Sequence, residues 1–173
     1  VEVRTFQSFT LIYTVGSLGL DDTGGIRIAW RRIGDSGLMP TQNPAAPNYV
    51  SAQSNGEGRL LLDYSRRGGQ RPWGEILTIT QHGGYLRPGE TITIRVGDRS
   101  GGSPGLLMQT FAEAGRDFVV MADVQATGNF YPLPDCQLYV PIIPGPPAVW
   151  KAVTATRRRP GEAFFLGIKA EDK

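Results

Sequence analysis

The chain has 173 residues, enough for one domain, or one domain and part of a second, with a core that needs no disulfide. Its formal net charge is only +2, and the short basic runs Arg31-Arg32, Arg66-Arg67 and Arg157-Arg158-Arg159 are interleaved with acids, so no one-sided basic surface for nucleic acid is expected. One cysteine (Cys136) and one histidine (His82) exclude an internal disulfide and the usual nitrogen-and-sulfur ligand set of zinc, and no apolar run approaches the roughly 20 residues of a membrane span.

In chain order, strand signals dominate. Phe9 to Val15 is rich in β-branched and aromatic residues. Gly25 to Arg31 alternates, with Ile26, Ile28 and Trp30 on one face and Arg27 and Arg31 on the other, which is the period of a strand with one buried side. Thr91 to Val96 repeats that pattern. Two-sided or weaker runs cover Arg59 to Tyr64, Glu75 to Gln81, Asp117 to Asp123 and Gln137 to Ile143. Glycine and proline punctuate these runs: Asp21 to Gly25, Arg87-Pro88-Gly89-Glu90 and Gly97 to Gly102 all read as turns. Gly37 to Gly56, with Pro40, Pro44 and Pro47, reads as a long surface loop, and loops of that length are often functional. Leu106 to Ala114 has fair helix propensity but is assigned to strand, because its apolar run leads through Gly115 into another strand. The pattern predicts an all-β fold, an antiparallel β-sandwich of jelly-roll or immunoglobulin-like type with long loops and little helix.

Pro144-Gly145-Pro146-Pro147 reads as a linker. Residues 1–145 are therefore assigned to an N-terminal β-sandwich, and 146–173 to the linker and first hairpin of an immunoglobulin-like second domain, with arms Ala148 to Thr156 and Ala163 to Ala170. A lone hairpin is marginal in water, so it either docks on the first domain or begins a second; the second is the expectation. No secretory leader is visible ahead of the first strand, and the cellular compartment stays open.

The inventory of reactive groups is thin. Gly101-Gly102-Ser103-Pro104-Gly105 matches the letters of a nucleophile elbow. The residue after that serine must lend its N–H to an oxyanion, and Pro104 has none. His82 is the only imidazole that could serve a serine or cysteine nucleophile, and no partner for it is marked. Gly97 to Gly105 lacks the lysine of a phosphate-binding loop, and nothing marks a carboxylate pair for glycoside hydrolysis. Asp21, Asp22 and Asp98 are weak calcium candidates, since aspartate beside glycine is usually turn chemistry. No catalytic residue, firm metal site or cofactor is therefore assigned. Among the aromatics, Trp30 belongs to the core face, whereas Trp73 (in Arg71-Pro72-Trp73), Tyr49 and Tyr85, with Arg71 and His82, are the candidate ligand-binding residues of a carbohydrate- or polymer-binding module.

Taken in order, Phe9 to Gly16 (FTLIYTVG), Gly24 to Ile28 (GGIRI), Asn43 to Val50 (NPAAPNYV), Arg71-Pro72-Trp73, Leu86 to Glu90 (LRPGE), Gly97 to Gly105 (GDRSGGSPG), Gln109-Thr110-Phe111 and Ile143 to Pro146 (IPGP) resemble the N-terminal region of large proteins of the domain-of-unknown-function 3604 family. The resemblance covers nearly the whole chain. It implies a β-sandwich, then an immunoglobulin-like segment, then a metal-dependent hydrolase-like domain of the polymerase-and-histidinol-phosphatase type that would hold the metal ligands. The function so implied is that of a non-catalytic accessory module. Its partners would be downstream domains of the same polypeptide, with a second copy of the chain or a carbohydrate as further candidates. It predicts a large apolar or mixed surface left uncovered near the C-terminal linker.

Overall fold

The computed structural model describes residues 1–68, 71–157 and 159–172; Arg158 of the last basic run lies outside them. The described residues form strands β1 (Phe6–Gln7), β2 (Phe9–Thr14), β3 (Gly25–Trp30), β4 (Val50–Ser54), β5 (Arg59–Ser65), β6 (Glu75–His82), β7 (Thr91–Val96), β8 (Leu106–Leu107), β9 (Glu113–Asp123), β10 (Tyr131–Ile142), β11 (Val149–Val153) and β12 (Gly167–Glu171). No helix long and apolar enough to cross a membrane occurs among them.

Two antiparallel sheets make the sandwich. One has five strands in the order β10-β9-β3-β6-β5, the other three in the order β2-β7-β4. Period-two alternation sends Ile26, Ile28 and Trp30 of β3, Leu77 and Ile79 of β6, and Val120 of β9 into one cluster with Val50 of β4 and with Ile92 and Ile94 of β7. Each such side chain contributes about 1.5–3 kcal/mol on burial, so this shared layer is what holds the two sheets together. Gly25 opens β3 where the backbone of β6 comes so close that an added Cβ would lie 2.4 Å from the Ile79 carbonyl oxygen. The outer face of β3 is also covered: Ala29, Ile76 and Met121 pack beneath Trp73 and Phe130, and the Arg27 guanidinium lies 3.9 Å from the Phe130 ring centre.

Several boundaries differ from the sequence reading. The expected loop from Gly37 to Gly56 contains β4, whose five residues VSAQS offer the core only the buried Val50 and the partly buried Ala52. An edge strand with so little apolar content carries almost no periodic signal. Leu106 to Ala114 is neither helix nor continuous strand. Leu106–Leu107 pairs with β1, and an irregular stretch follows up to Glu113, where β9 starts. β10 begins at Tyr131 rather than Gln137, because a register irregularity between Pro132 and Gln137 breaks its alternation.

Residues 146–173 contribute a hairpin of their own, β11 with β12, in the register Trp150 with Ala170 and Ala152 with Ile168. The second arm begins at Gly167; Phe164, Phe165 and Leu166 belong to the connection and are exposed. At the hairpin base, Asp172 receives the Gly145 N–H at 3.0 Å and pairs with Arg4 at 3.0 Å, and these contacts hold its carboxyl below its ordinary range. Arg4 belongs to the segment whose Val3 N–H donates to the Ile143 carbonyl at 3.0 Å.

Candidate functional site

The sandwich has two open seams, and they differ in chemistry. At one seam the edge strands β4 and β5 part to form a groove of about 640 Å³, bounded by Thr41, Tyr49, Ser51, Asp63, Thr80 and His82. Tyr49 sits at the end of the long loop just before β4, and His82 ends β6 on the face opposite the core-directed Gln81. The Ser51 hydroxyl donates to Asp98, which also takes the Ser100 N–H at 2.9 Å. These bonds, the serine's first, hold the Asp98 carboxyl below its ordinary range. Ser51 thus spends its proton on Asp98 and not on His82.

Of the five candidate ligand-binding residues, Tyr49 and His82 share this groove; Trp73, Tyr85 and Arg71 do not line it. Trp73 packs on the outer face of the large sheet beside Ile76, and Arg71, joined to Pro72 by a cis peptide, is exposed. Tyr85 lies against Gly19 and its hydroxyl donates to the Leu18 carbonyl at 3.3 Å. Of the weak calcium candidates, Asp21 closes a turn, its carbonyl accepting from Gly24 at 2.9 Å, and the Asp22 carboxylate ties that turn to the end of β6 by accepting the Gly83 N–H at 2.8 Å. Among the described residues no group of three His, Cys, Asp or Glu side chains gathers as a metal site. Ser103 is buried, and its hydroxyl accepts the Gly105 N–H at 3.2 Å as part of the turn.

At the opposite seam, edge strands β2 and β10 enclose a smaller cavity of about 210 Å³. Its walls are mainly apolar, from Phe9, Leu11, Met108, Phe118 and Leu138. Arg116 and Ser36 also line it, each only 7% exposed. Arg116 reaches the interior because it shares a strand face with Phe118 and Val120; that phase, an arginine two residues before an inward aromatic, was the signal in the sequence for this site. Its Nη1 donates to Gln109 at 3.0 Å, and burial pulls its affinity for the proton below the usual arginine value. Two polar atoms here, Arg116 Nε and Ser36 Oγ, have no hydrogen-bond partner.

The surrounding polar groups are committed elsewhere. Glu75 is buried and accepts from Trp30 Nε1 at 2.7 Å, the Tyr64 hydroxyl at 3.1 Å and Arg66 Nε at 3.3 Å. Burial, reinforced by the Glu75 charge, pushes the Tyr64 hydroxyl above its ordinary range. Glu113 accepts from Gln109 at 3.1 Å, and Asp35 takes both the hydroxyl and the N–H of Thr110, at 2.6 Å and 2.9 Å. Ser36 is held in place by Asn48, which donates to the Ser36 and Leu38 carbonyls at 2.7 Å and 3.1 Å and accepts from the Leu107 N–H at 2.7 Å.

The hairpin is the third feature. Trp150 and Ala152 of β11 lie opposite Ala170 and Ile168 of β12, which makes one face wholly apolar, and all four are exposed. The other face carries Lys151 and Lys169, both paired with Glu171. Comparison with models of known families, with curated proteins and with solved structures finds no match to this chain.

Proposed function

We propose that the chain is a non-catalytic interaction module, a β-sandwich that packs against and positions further domains of the same polypeptide. The observation that carries this reading is the hairpin's bare apolar face. Trp150 is 68% exposed and Ile168 is 69% exposed, directly beyond the linker, while the reverse face mixes the exposed Val149 and Val153 with the Lys151–Glu171–Lys169 ion pairs. An amphipathic two-stranded sheet with two free edges is half of a sandwich, and its stability requires a second layer. The occupant assigned to that face is the remainder of an immunoglobulin-like segment of the same polypeptide. The domain-of-unknown-function 3604 resemblance supports this assignment. It also makes the catalytic region that the module serves a metal-dependent hydrolase-like domain.

Hydrogen exchange tests the proposal, comparing the 173-residue chain with the natural full-length polypeptide. Amides of Val149–Val153 and Gly167–Glu171 should exchange quickly in the former and be strongly protected in the latter, with Trp150 fluorescence shifted to the blue. Equal exchange in both overturns the proposal. Self-association of the 173-residue chain that Trp150→Glu abolishes also overturns it, by giving the face to a second copy.

The groove between β4 and β5 favours a second reading, a carbohydrate-binding module, because it joins an aromatic ring (Tyr49) to the polar groups of Thr41, Asp63 and His82 in an open cleft. A glycan-array screen tests it; binding that Tyr49→Ala removes supports this reading, and an empty array rejects it.

A further inference from the structure

We propose that the seam between β2 and β10 admits a small uncharged molecule of hydrocarbon character, such as a medium-chain alcohol. Its body would fill the cavity among Leu11, Met108, Phe118 and Leu138, and its one polar group would stay at the mouth beside Thr10 and Tyr139.

The first argument is access. β2 and β10 are edge strands of different sheets and do not pair with each other. Three consecutive residues of each, Phe9 to Leu11 and Leu138 to Val140, line the cavity. Successive residues of a strand point to opposite faces, so a void sealed behind the sheets would meet only every second one. Contact with both phases means that the cavity reaches the gap between the two edges. One side of that mouth is fixed, because the Tyr139 ring lies against Gly115 and its hydroxyl donates to the Ala114 carbonyl at 2.9 Å. The second argument is charge. The one charged side chain on the wall among the described residues, Arg116, already has Glu75, Glu113 and Asp35 bearing on it, and its Nη1 donates to Gln109. One cation beside three carboxylates leaves an entering acid in a repulsive field. None of those carboxylates lines the cavity, so an entering ammonium would lose its hydration and gain no partner. An uncharged body meets neither penalty.

The third argument is size and wall chemistry. An unfilled void costs stability in proportion to its volume, because its wall loses contacts that nothing replaces. A dry apolar cavity of about 150 Å³ takes a molecule as large as benzene. At about 210 Å³ this one takes a body of roughly eight or nine non-hydrogen atoms. Besides Arg116, the polar side chains on the wall are Ser36, Thr10 and Tyr139. The Ser36 hydroxyl is wholly buried, whereas Thr10 and Tyr139 are exposed and so mark the mouth. One hydroxyl can therefore be met where the cavity opens. A sugar, with a hydroxyl on nearly every carbon, does not fit.

The test is isothermal titration of the 173-residue chain at neutral pH with butanol, hexanol, octanol and decanol, and with octanoate and octylamine. Affinity for the alcohols should rise roughly threefold to fourfold with each added carbon, the factor that moving one CH₂ out of water gives. It should level off between octanol and decanol, where the cavity is full. Octanol should bind one-to-one and at least about tenfold more tightly than octanoate or octylamine. Leu138→Trp, its folding checked by thermal melting, should fill the cavity and weaken octanol at least about tenfold; Met108→Trp takes its place if that variant does not fold. Four results overturn the proposal: no octanol binding, octanoate or octylamine binding as tightly as octanol, affinity that climbs undiminished to decanol, or octanol binding untouched in the folded tryptophan variant. The first three are read on the parent chain, so they decide the matter even where neither variant folds. Because the hairpin and the groove between β4 and β5 lie outside this cavity, the outcome is independent of both functional readings.

Discussion

The sandwich and the C-terminal hairpin are written in the same alternating code and meet opposite fates. In β3 the apolar phase, Ile26, Ile28 and Trp30, is at most 5% exposed because β7 and β2 lie across from it. In β11 and β12 the apolar phase, Trp150 and Ile168, is more than two-thirds exposed. Alternation specifies which face of a strand must be covered; it does not supply the cover. Where the covering layer is present, the apolar phase becomes stability. Where the described residues supply no such layer, the same phase stays open to solvent.

Two tryptophan substitutions would break that comparison most sharply. Trp30→Ala should cost about 3–5 kcal/mol in urea unfolding, since it empties a core position. It also removes the closest donor to the Glu75 carboxylate, at 2.7 Å, which leaves a buried acid with fewer partners. Trp150→Ala should change the sandwich's unfolding free energy by less than about 0.5 kcal/mol, the range of ordinary surface changes. If the two variants lost similar stability, the hairpin would have to be docked on the sandwich, and its exposure would not mark an interface.

Asn48 sharpens the comparison from the loop side. Its backbone is left-handed, with φ 64°, a conformation asparagine tolerates better than most residues, and its side chain ties three segments together. Asn48→Gly keeps the backbone conformation and removes only the side-chain bonds, with an expected loss of about 2–3 kcal/mol. Asn48→Ala adds the strain of a Cβ at positive φ and should be worse by about 1 kcal/mol. No residue of the hairpin connection should match either loss, and urea denaturation of the two variants beside Phe165→Ala checks this.

The same contrast explains what the sequence could and could not disclose. The strands with long apolar phases, β2, β3, β6 and β7, were legible because alternation is a local property that tertiary packing here obeys. β4 was not, because an edge strand of serine, alanine and glutamine needs only one buried side chain to keep its place. The site residues divide in the same way. Tyr49 and His82 were marked as candidates singly, but their shared groove depends on β4 lying beside β5, which no local pattern states. Arg116 and Ser36 are 80 positions apart in sequence and become neighbours only through the closed sandwich and the Asn48 clamp. The cavity that they line is likewise a property of the fold.

The smallest expected effect concerns acid, and it contrasts a carboxylate inside the sandwich with one on the hairpin. Asp98 is 6% exposed and is held in the ionised form first by the Ser51 hydroxyl. A carboxyl whose folded value lies below its unfolded value, near 3.9, stabilises the fold at higher pH and loses that contribution as pH falls through the folded value. Ser51→Ala moves the folded value back toward the unfolded one. The variant should therefore be less stable than the parent by about 1 kcal/mol at pH 7, and the gap should close as pH drops below about 4. Glu171 is also held below its ordinary range, by Lys151 and Lys169, but on a hairpin that lends the sandwich no core. Glu171→Gln should accordingly leave the sandwich's unfolding midpoint unchanged at every pH. Urea titrations of both variants between pH 2.5 and pH 7 separate the two cases, because a pH-independent loss in Ser51→Ala would mean that the serine acts by packing and not through the Asp98 charge.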